Sequence, residues 1–352
     1  MTLSTADLRA AIDRVPRYPL AQMPTPLEKL DKLTKLLGGP DIYIKRDDCT
    51  GFAMGGNKAR HNEYLIADAL SLGADLFVWG AGVQSNNCRQ TAAACAKAGL
   101  ECHLILGRGG PAVGPDPIQG NLLLDHLFGA HVEIVEEKVG ADLDRRIARV
   151  AAAHRANGRK VYDWDRARVT PRAAISYALC LAEILEQTSA QKFSPDAIYV
   201  SSAGSTGAGL VFGQKALGLQ ANITSVAPIQ WPWDTEADMA DMARVAAELC
   251  GLKLSINRED VNVNYAHIGP AYGQLSEGCL EAITLLAREE GILLDPLYTG
   301  KAMSALIADI RAGKWKRGEK VLFIHTGGTP VLFAYNEELT SRIPARALRA
   351  SR

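Results

Sequence analysis

Four short stretches hold residues whose types and spacing suit chemistry on a small anionic ligand. GFAMGGNKARHNEYL (51–65) delivers an Asn-Lys pair, behind Gly55 and Gly56, to the start of a predicted helix. Glycines let the backbone pass close to a ligand. An amine confined behind them loses solvation, which lowers its pKa and makes Lys58 a candidate Schiff-base lysine rather than a surface residue. SSAGSTGAGL (201–210) is a Gly/Ser/Thr turn between a predicted strand and helix. Backbone N–H groups at such a helix N-terminus suit one phosphate monoester, with a plain helix cap as the alternative. GVQSNNCRQTAA (82–93) is a second strand-to-helix turn, in which Ser85, Asn86 and Asn87 can hold a carboxylate without any arginine. Capping explains Ser85 or Asn86 but not the whole run. Finally, LDPLYTGKA (294–302), IHTGGTP (324–330) and GPAYGQLSEG (269–278) bring Tyr298 and Tyr272 in Gly-flanked loops beside a Thr-Gly-Gly strand end. A packed aromatic with a satisfied hydroxyl is the plainer reading of either tyrosine alone.

These turns need strands and helices to hold them. Short apolar, β-branched runs at 41–48, 75–82, 101–107, 131–137, 160–164, 197–204, 223–230 and 321–328 alternate with amphipathic stretches. Those stretches are Asn87–Ala98, Ala141–Asn157, Arg172–Gln187, Thr206–Leu217, Glu236–Leu249 and Glu277–Glu290. The alternation predicts α/β architecture with mainly parallel sheets flanked by helices. Ligands then bind at the strand ends that carry these turns.

At 352 residues the chain is expected to form two lobes, and in the absence of repeats or a long linker one lobe is read as inserted in the other. Lys plus Arg (39) balance Asp plus Glu (39), which leaves no field to draw nucleic acid or an anionic membrane and favours a small-molecule partner. The first twenty residues interleave Asp7, Arg9, Asp13, Arg14 and Arg17 with apolar ones, unlike a secretory signal. No apolar run approaches the roughly 20 residues of a membrane span, so a cytoplasmic protein is expected. Seven scattered cysteines, none in a CxxC pair, argue for free thiols and against zinc. Neither GxxxxGK[ST] nor GxGxxG is present, which counts against a nucleotide- or NAD-binding protein. The last dozen residues, SRIPARALRASR, read as a frayed basic tail.

Taken together, GGNK, QSN-x-x-RQTAA, the Gly/Ser loop and DP-x-YTGKA occur in the order and spacing of a known family. From PTPLEKL (24–30) to IHTGGTP (324–330) the chain resembles the D-cysteine desulfhydrase and 1-aminocyclopropane-1-carboxylate (ACC) deaminase family. This is a branch of the fold-type-II, tryptophan-synthase-β-like enzymes of pyridoxal 5'-phosphate (PLP). The resemblance implies a two-lobed fold, with 1–58 and 169–352 as the large PLP-binding domain and 59–168 as a small inserted domain, and a homodimer. It implies Lys58 as the Schiff-base lysine and Ala203, Gly204, Ser205, Thr206 and Gly207 as a phosphate cup. Ser85, Asn86 and Asn87 are implied as the substrate-carboxylate turn, Asn86 also near the cofactor ring oxygen. Tyr298 and Tyr272 match two active-site tyrosines, with Tyr298 expected to serve the leaving group.

The departures from the family are informative. ACC deaminases carry a Glu after the tyrosine of DP-x-Y, where this chain has Thr299. A hydroxyl of Thr299 or Thr326 at the pyridine nitrogen makes a weaker electron sink. That suits elimination of a good β-leaving group better than opening a cyclopropane. The expected activity is therefore α,β-elimination from a small cysteine-like amino acid, giving pyruvate, ammonia and sulfide. Asn87 stands where many desulfhydrase-like sequences carry His. Arg108, in LILGRGG (104–110), reads first as a solvated side chain, but it would suit a sulfonate, so an L-cysteate sulfo-lyase releasing sulfite is the alternative. ACC deamination, or PLP binding without turnover, ranks below both. Trp231 and Trp233, after the strand at 223–230, have no assigned role.

Overall fold

The computed structural model describes residues 2–109 and 118–341, so most of the basic tail lies outside the described residues. Among the described residues ten strands run in chain order: β1 (Leu27–Lys29), β2 (Asp41–Arg46), β3 (Leu76–Gly82), β4 (Glu101–Gly109), β5 (His131–Lys138), β6 (Val161–Asp163), β7 (Ala197–Ser201), β8 (Asn222–Val226), β9 (Val263–Asn264) and β10 (Lys320–His325). Twelve helices accompany them: α1 (Thr5–Ile12), α2 (Asp31–Leu37), α3 (Lys58–Ser71), α4 (Asn86–Ala98), α5 (Gly120–Leu127), α6 (Ala141–Ala156), α7 (Arg166–Ala190), α8 (Ser205–Leu217), α9 (Thr235–Leu249), α10 (Glu277–Glu290), α11 (Thr299–Arg311) and α12 (Asn336–Thr340).

The strands form two sheets, one ordered β1-β2-β10-β7-β8-β9 and the other β5-β4-β3-β6. Every pairing is parallel except β1 with β2. Parallel strands covered by helices on both faces must be apolar throughout. All five residues of β7 and all but the first of β10 are accordingly buried. The eight strands expected from the apolar runs are all present. The short edge strands β1 and β9 lack a run long enough to announce them.

The four-stranded sheet draws only on residues 76–163, within the segment expected to be inserted. The limits of that segment fall in the first turns of α3 and α7, and both helices serve two cores. Tyr64 of α3 packs with α1, α7, α8 and α9, whereas Leu65, Ile66 and Ala69 of the same helix pack against the small sheet. Val169 of α7 joins the small-sheet core, and Ala174 to Leu181 join the large one. Continuous helices, rather than flexible linkers, therefore cross between the sheets.

Among the described residues no helix is long and apolar enough to cross a membrane, and no group of His, Cys, Asp and Glu could hold a metal ion. All seven cysteines are free and only Cys49 is exposed.

Candidate active site

A cavity of about 280 Å³ opens where the C-terminal ends of β3, β6, β7, β8 and β10 converge, the place an open α/β sheet offers a ligand. Its wall includes Lys58, Ser85, Asn86, Asn87, Ala203, Gly204, Ser205, Thr206, Tyr272, Tyr298 and Thr326. Residues far apart in the chain are thus brought to one place. Gly207 and Thr299 are not on that wall.

Lys58 begins α3 and faces the cavity. The loop before it depends on Gly55, whose φ is +72° and where an added Cβ would lie 1.6 Å from the Asp48 carbonyl oxygen. No other residue fits there. Enclosure by protein pushes the Lys58 ammonium down to about 8, which raises the share of nucleophilic amine near neutral pH. Its Nζ lies 3.5 Å from His61 Nδ1, and His61 Nε2 lies 3.2 Å from Thr206 Oγ1, which also accepts from Asn57 Nδ2 at 3.0 Å. Burial holds the His61 pKa well below its ordinary value, so the ring is neutral. His61 was not singled out from the sequence, although its place one helical turn after Lys58 puts both on one face.

Beneath Lys58 lies a buried charge network. Arg60 donates to Asp47 at 2.8 and 2.9 Å and to Glu183 at 3.0 and 3.1 Å, while Lys45 reaches Glu183 at 2.5 Å. Burial alone would raise the Asp47 carboxyl, but Arg60 more than reverses it and holds the group below its ordinary range.

The turn at 201–207 opens α8. Ser202 Oγ accepts the N–H groups of Gly204 (3.2 Å) and Gly207 (2.9 Å). The N–H groups of Ala203, Ser205 and Thr206 make no hydrogen bond to a described residue, which leaves three donors at a helix N-terminus for an anion. An added Cβ at Gly204 meets nothing within 4 Å. At Gly207 it would lie 2.4 Å from Met239 Cε and 2.4 Å from Ser225 Oγ, so Gly207 serves packing behind the turn and not the approach of a phosphate.

Across the cavity, Ser85 caps α4, its Oγ accepting from the N–H groups of Asn87 (3.2 Å) and Cys88 (3.1 Å). The Ser85 hydroxyl proton and the Asn86 N–H stay unspent. Asn86 Oδ1 accepts from Arg89 Nη1 at 2.8 Å and from Asn121 Nδ2 at 3.0 Å. Arginine can only donate, so the Asn86 oxygen must face it and the amide NH₂ must face away. The Ser85–Asn87 turn therefore has an arginine behind it, off the cavity wall, that holds the Asn86 amide. Arg89 stood inside the quoted motif but gave no local signal, because its partners Gly55 and Asn121 are distant in sequence.

Tyr272 and Tyr298 share a hydrogen bond of 2.6 Å between their hydroxyls. Burial raises both pKa values, Tyr272 to about 12 and Tyr298 further, so each holds its proton at neutral pH. The two threonines differ sharply. Thr299 is fully buried, and its Oγ1 donates to Asp295 Oδ1 (2.6 Å) and accepts from the Asp295 N–H (2.8 Å). A hydroxyl has one proton to give, and Asp295 takes it. Thr326 lines the cavity and its hydroxyl bonds to no described residue, so it is the threonine free to meet a ring nitrogen. Arg108 follows the solvated reading and not the sulfonate one. It is 44% exposed, pairs with Glu136 at 3.1 Å and is not on the cavity wall. Trp231 and Trp233 do line the mouth, stacked at 4.9 Å, with Trp231 Nε1 donating to the Ala203 carbonyl (3.2 Å). The guanidinium of Arg166 covers Trp233 at 5.1 Å while paired with Asp238.

The donor set fits PLP: a partly neutral lysine amine for its aldehyde, three free N–H groups for its phosphate, and a free hydroxyl for its ring. Comparison with known proteins agrees. Residues 19–327 match the family model described as pyridoxal-phosphate dependent enzyme. The chain is 39% identical over 332 residues to a 1-aminocyclopropane-1-carboxylate deaminase of Burkholderia cenocepacia, covering 92% of this chain and 98% of that protein. It is 38% identical over 333 residues to a protein of the same name from Burkholderia ambifaria, covering 93% and 98%. The crystal structure of an ACC deaminase homologue superimposes with a TM-score of 0.85 at 33% identity, covering 95% and 98%. Diaminopropionate ammonia lyase of Escherichia coli, at 17% identity and a TM-score of 0.69, shares the fold. A match that spans nearly the whole chain, over a cavity built for this cofactor, makes the chain a member of the fold-type-II pyridoxal-phosphate dependent enzymes.

Proposed function

We propose that this protein deaminates a small α-amino acid, with α,β-elimination from a cysteine-like substrate as its reaction and pyruvate, ammonia and the β-substituent as products. The observation that carries the reading is the convergence of Lys58, the Ser85–Asn87 turn and the Tyr272–Tyr298 pair on one cavity. Bound PLP would supply a sink for the electrons left when the α-proton is removed. Lys58 would hold it, with the N–H groups of Ala203, Ser205 and Thr206 on its phosphate and the Thr326 hydroxyl facing its ring nitrogen. The Ser85 hydroxyl, the Asn86 amide and the Asn87 side chain would orient the substrate carboxylate. Lys58, partly neutral at pH 7, is the base within reach of the α-proton. The Tyr298 hydroxyl, its proton retained by burial and shared with Tyr272, would protonate the leaving group.

Two features bear on the substrate. Among the described residues Asp144 is the one carboxylate on the cavity wall, and it belongs to α6 at the mouth. Nothing on β10 or α11 therefore offers an acid to the ring nitrogen, which favours elimination over ring opening. The similarity to proteins named ACC deaminase favours a second reading, hydrolytic opening of ACC to 2-oxobutyrate and ammonia. The sulfo-lyase reading loses its main support with Arg108 outside the cavity. A panel of D-cysteine, L-cysteine, L-cysteate and ACC separates the three by product. Sulfide with pyruvate supports the proposal, whereas 2-oxobutyrate from ACC alone, or sulfite from L-cysteate, would replace it. The family resemblance also supports a homodimer, which light scattering on the purified protein tests.

A further inference from the structure

We propose that Arg89 is the positioning residue of the carboxylate-holding turn: it fixes the Asn86 amide and supplies a positive charge that the protein leaves for the substrate carboxylate to balance. The inference rests on the proposed role of the Ser85–Asn87 turn. Arg89 is fully buried, and its guanidinium donates to Asn86 Oδ1 (2.8 Å), Asn121 Oδ1 (2.7 Å) and the Gly55 carbonyl (2.8 Å). All three partners are neutral. Among the described residues its Nε has no partner. Among the described residues no carboxylate pairs with it, although a buried arginine ordinarily has one.

The nearest acids, Asp125 and Asp295, favour the Arg89 charge through space, but among the described residues neither pairs with it. Among the described residues both oxygens of Asp125, on α5, are buried without a hydrogen-bond partner, and burial lifts its pKa to about 8, which favours the neutral acid at pH 7. Asp295 is committed to the N–H groups of Leu297, Tyr298 and Thr299. The charge of Arg89 therefore acts through Asn86 on whatever sits in the turn, and low local dielectric strengthens it. The contact to Gly55 also ties this turn to the loop that delivers Lys58, so one side chain sets the spacing between carboxylate and amine.

The test uses holoenzyme and two small probes, glycine and glycinamide, which differ only in the carboxylate. Dissociation constants are read from the change in cofactor absorbance on binding. Arg89→Met should weaken glycine by about thirtyfold or more, the scale of a charged hydrogen-bonded partner, and leave glycinamide within about threefold. Arg89→Lys keeps the charge but loses the fork, so it should fall between, and it stands in if the methionine variant does not fold. Cofactor content should match wild type. In turnover, KM should rise more than kcat falls. Equal losses for glycine and glycinamide would overturn the inference in favour of a purely structural arginine, and unchanged glycine affinity would overturn it outright. Failure of the wild-type holoenzyme to bind either probe would instead reject the site reading on which it rests.

Discussion

Arg60 and Arg89 are both buried, at 1% and 0% exposure, yet the protein surrounds them in opposite ways. Arg60, two residues after Lys58, is met by the carboxylates of Asp47 and Glu183, with Lys45 and Tyr177 completing the network. Burial works against its charge, but its acids, led by Asp47, lift its pKa well above the ordinary value. Arg89 meets only amide and backbone oxygens, and burial pushes it down to about 10. A paired ion stabilises the fold and is indifferent to ligand. One left partly unbalanced costs stability and becomes useful when an anion arrives. The two arginines thus mark the difference between the network under Lys58 and the turn proposed to receive the substrate.

The largest expected effect is at the residue both regions serve. Lys58→Ala should reduce turnover by roughly a thousandfold or more, while chemical denaturation at pH 7 should be no easier than for wild type, because an ammonium disfavoured by its enclosure is removed. Next comes the crossing of the two arginines. Arg60→Met strands two buried carboxylates and should cost about 3–5 kcal/mol in urea unfolding. Glycine affinity per folded molecule should remain unchanged. Arg89→Met should cost only about 1–2 kcal/mol from lost hydrogen bonds and lose glycine affinity. Both variants losing stability and affinity together would erase the distinction.

Titration sharpens it further. Because burial holds the Lys58 ammonium near 8, against about 10.4 for an ordinary lysine, capture of PLP by the cofactor-free protein should rise with pH to a midpoint near 8. In the same sense, the unfolded chain keeps this proton to higher pH, so Lys58 adds stability as pH climbs above about 8. Asp125 works the other way. Its folded pKa is raised to about 8, so its contribution is full below the ordinary carboxyl range and is lost as pH rises toward 8. Asp125→Asn should therefore gain on wild type over that interval, measured as the difference in unfolding midpoints. The smallest effects separate the threonines. Thr326→Val should shift the absorbance of bound PLP, whereas Thr299→Val should leave the spectrum alone and lower stability by about 1 kcal/mol through the lost bond to Asp295.

Much of this was legible in the chain because it is local. Buried parallel strands must be apolar along their length, so β2 to β8 and β10 announce themselves, and the turns at 82–93, 201–210 and 324–330 lie directly at the ends of β3, β7 and β10. What the sequence hid depends on which partner takes each polar group, a near one at Thr299 and distant ones elsewhere. Thr299 follows the tyrosine of DP-x-Y, which suggests that it faces the cofactor, yet Asp295 turns back to cap α11 and takes its hydroxyl. The role of Arg89 needs Gly55 and Asn121, each more than thirty residues away. Arg108 looked available because nothing in LILGRGG reveals that Glu136, on the neighbouring strand β5, pairs with it. Gly207 resembles a phosphate-contacting glycine until Met239 and Ser225 are seen against it.

The most direct test of the account is to reduce the holoenzyme with borohydride, digest it and locate the pyridoxyl group by mass spectrometry. The account predicts a single adduct on Lys58, absent from Lys58→Ala. An adduct on Lys301, a fully buried lysine near Tyr272 whose Nζ donates to the Ile268 and Ala271 carbonyls, or on any other lysine, would contradict it.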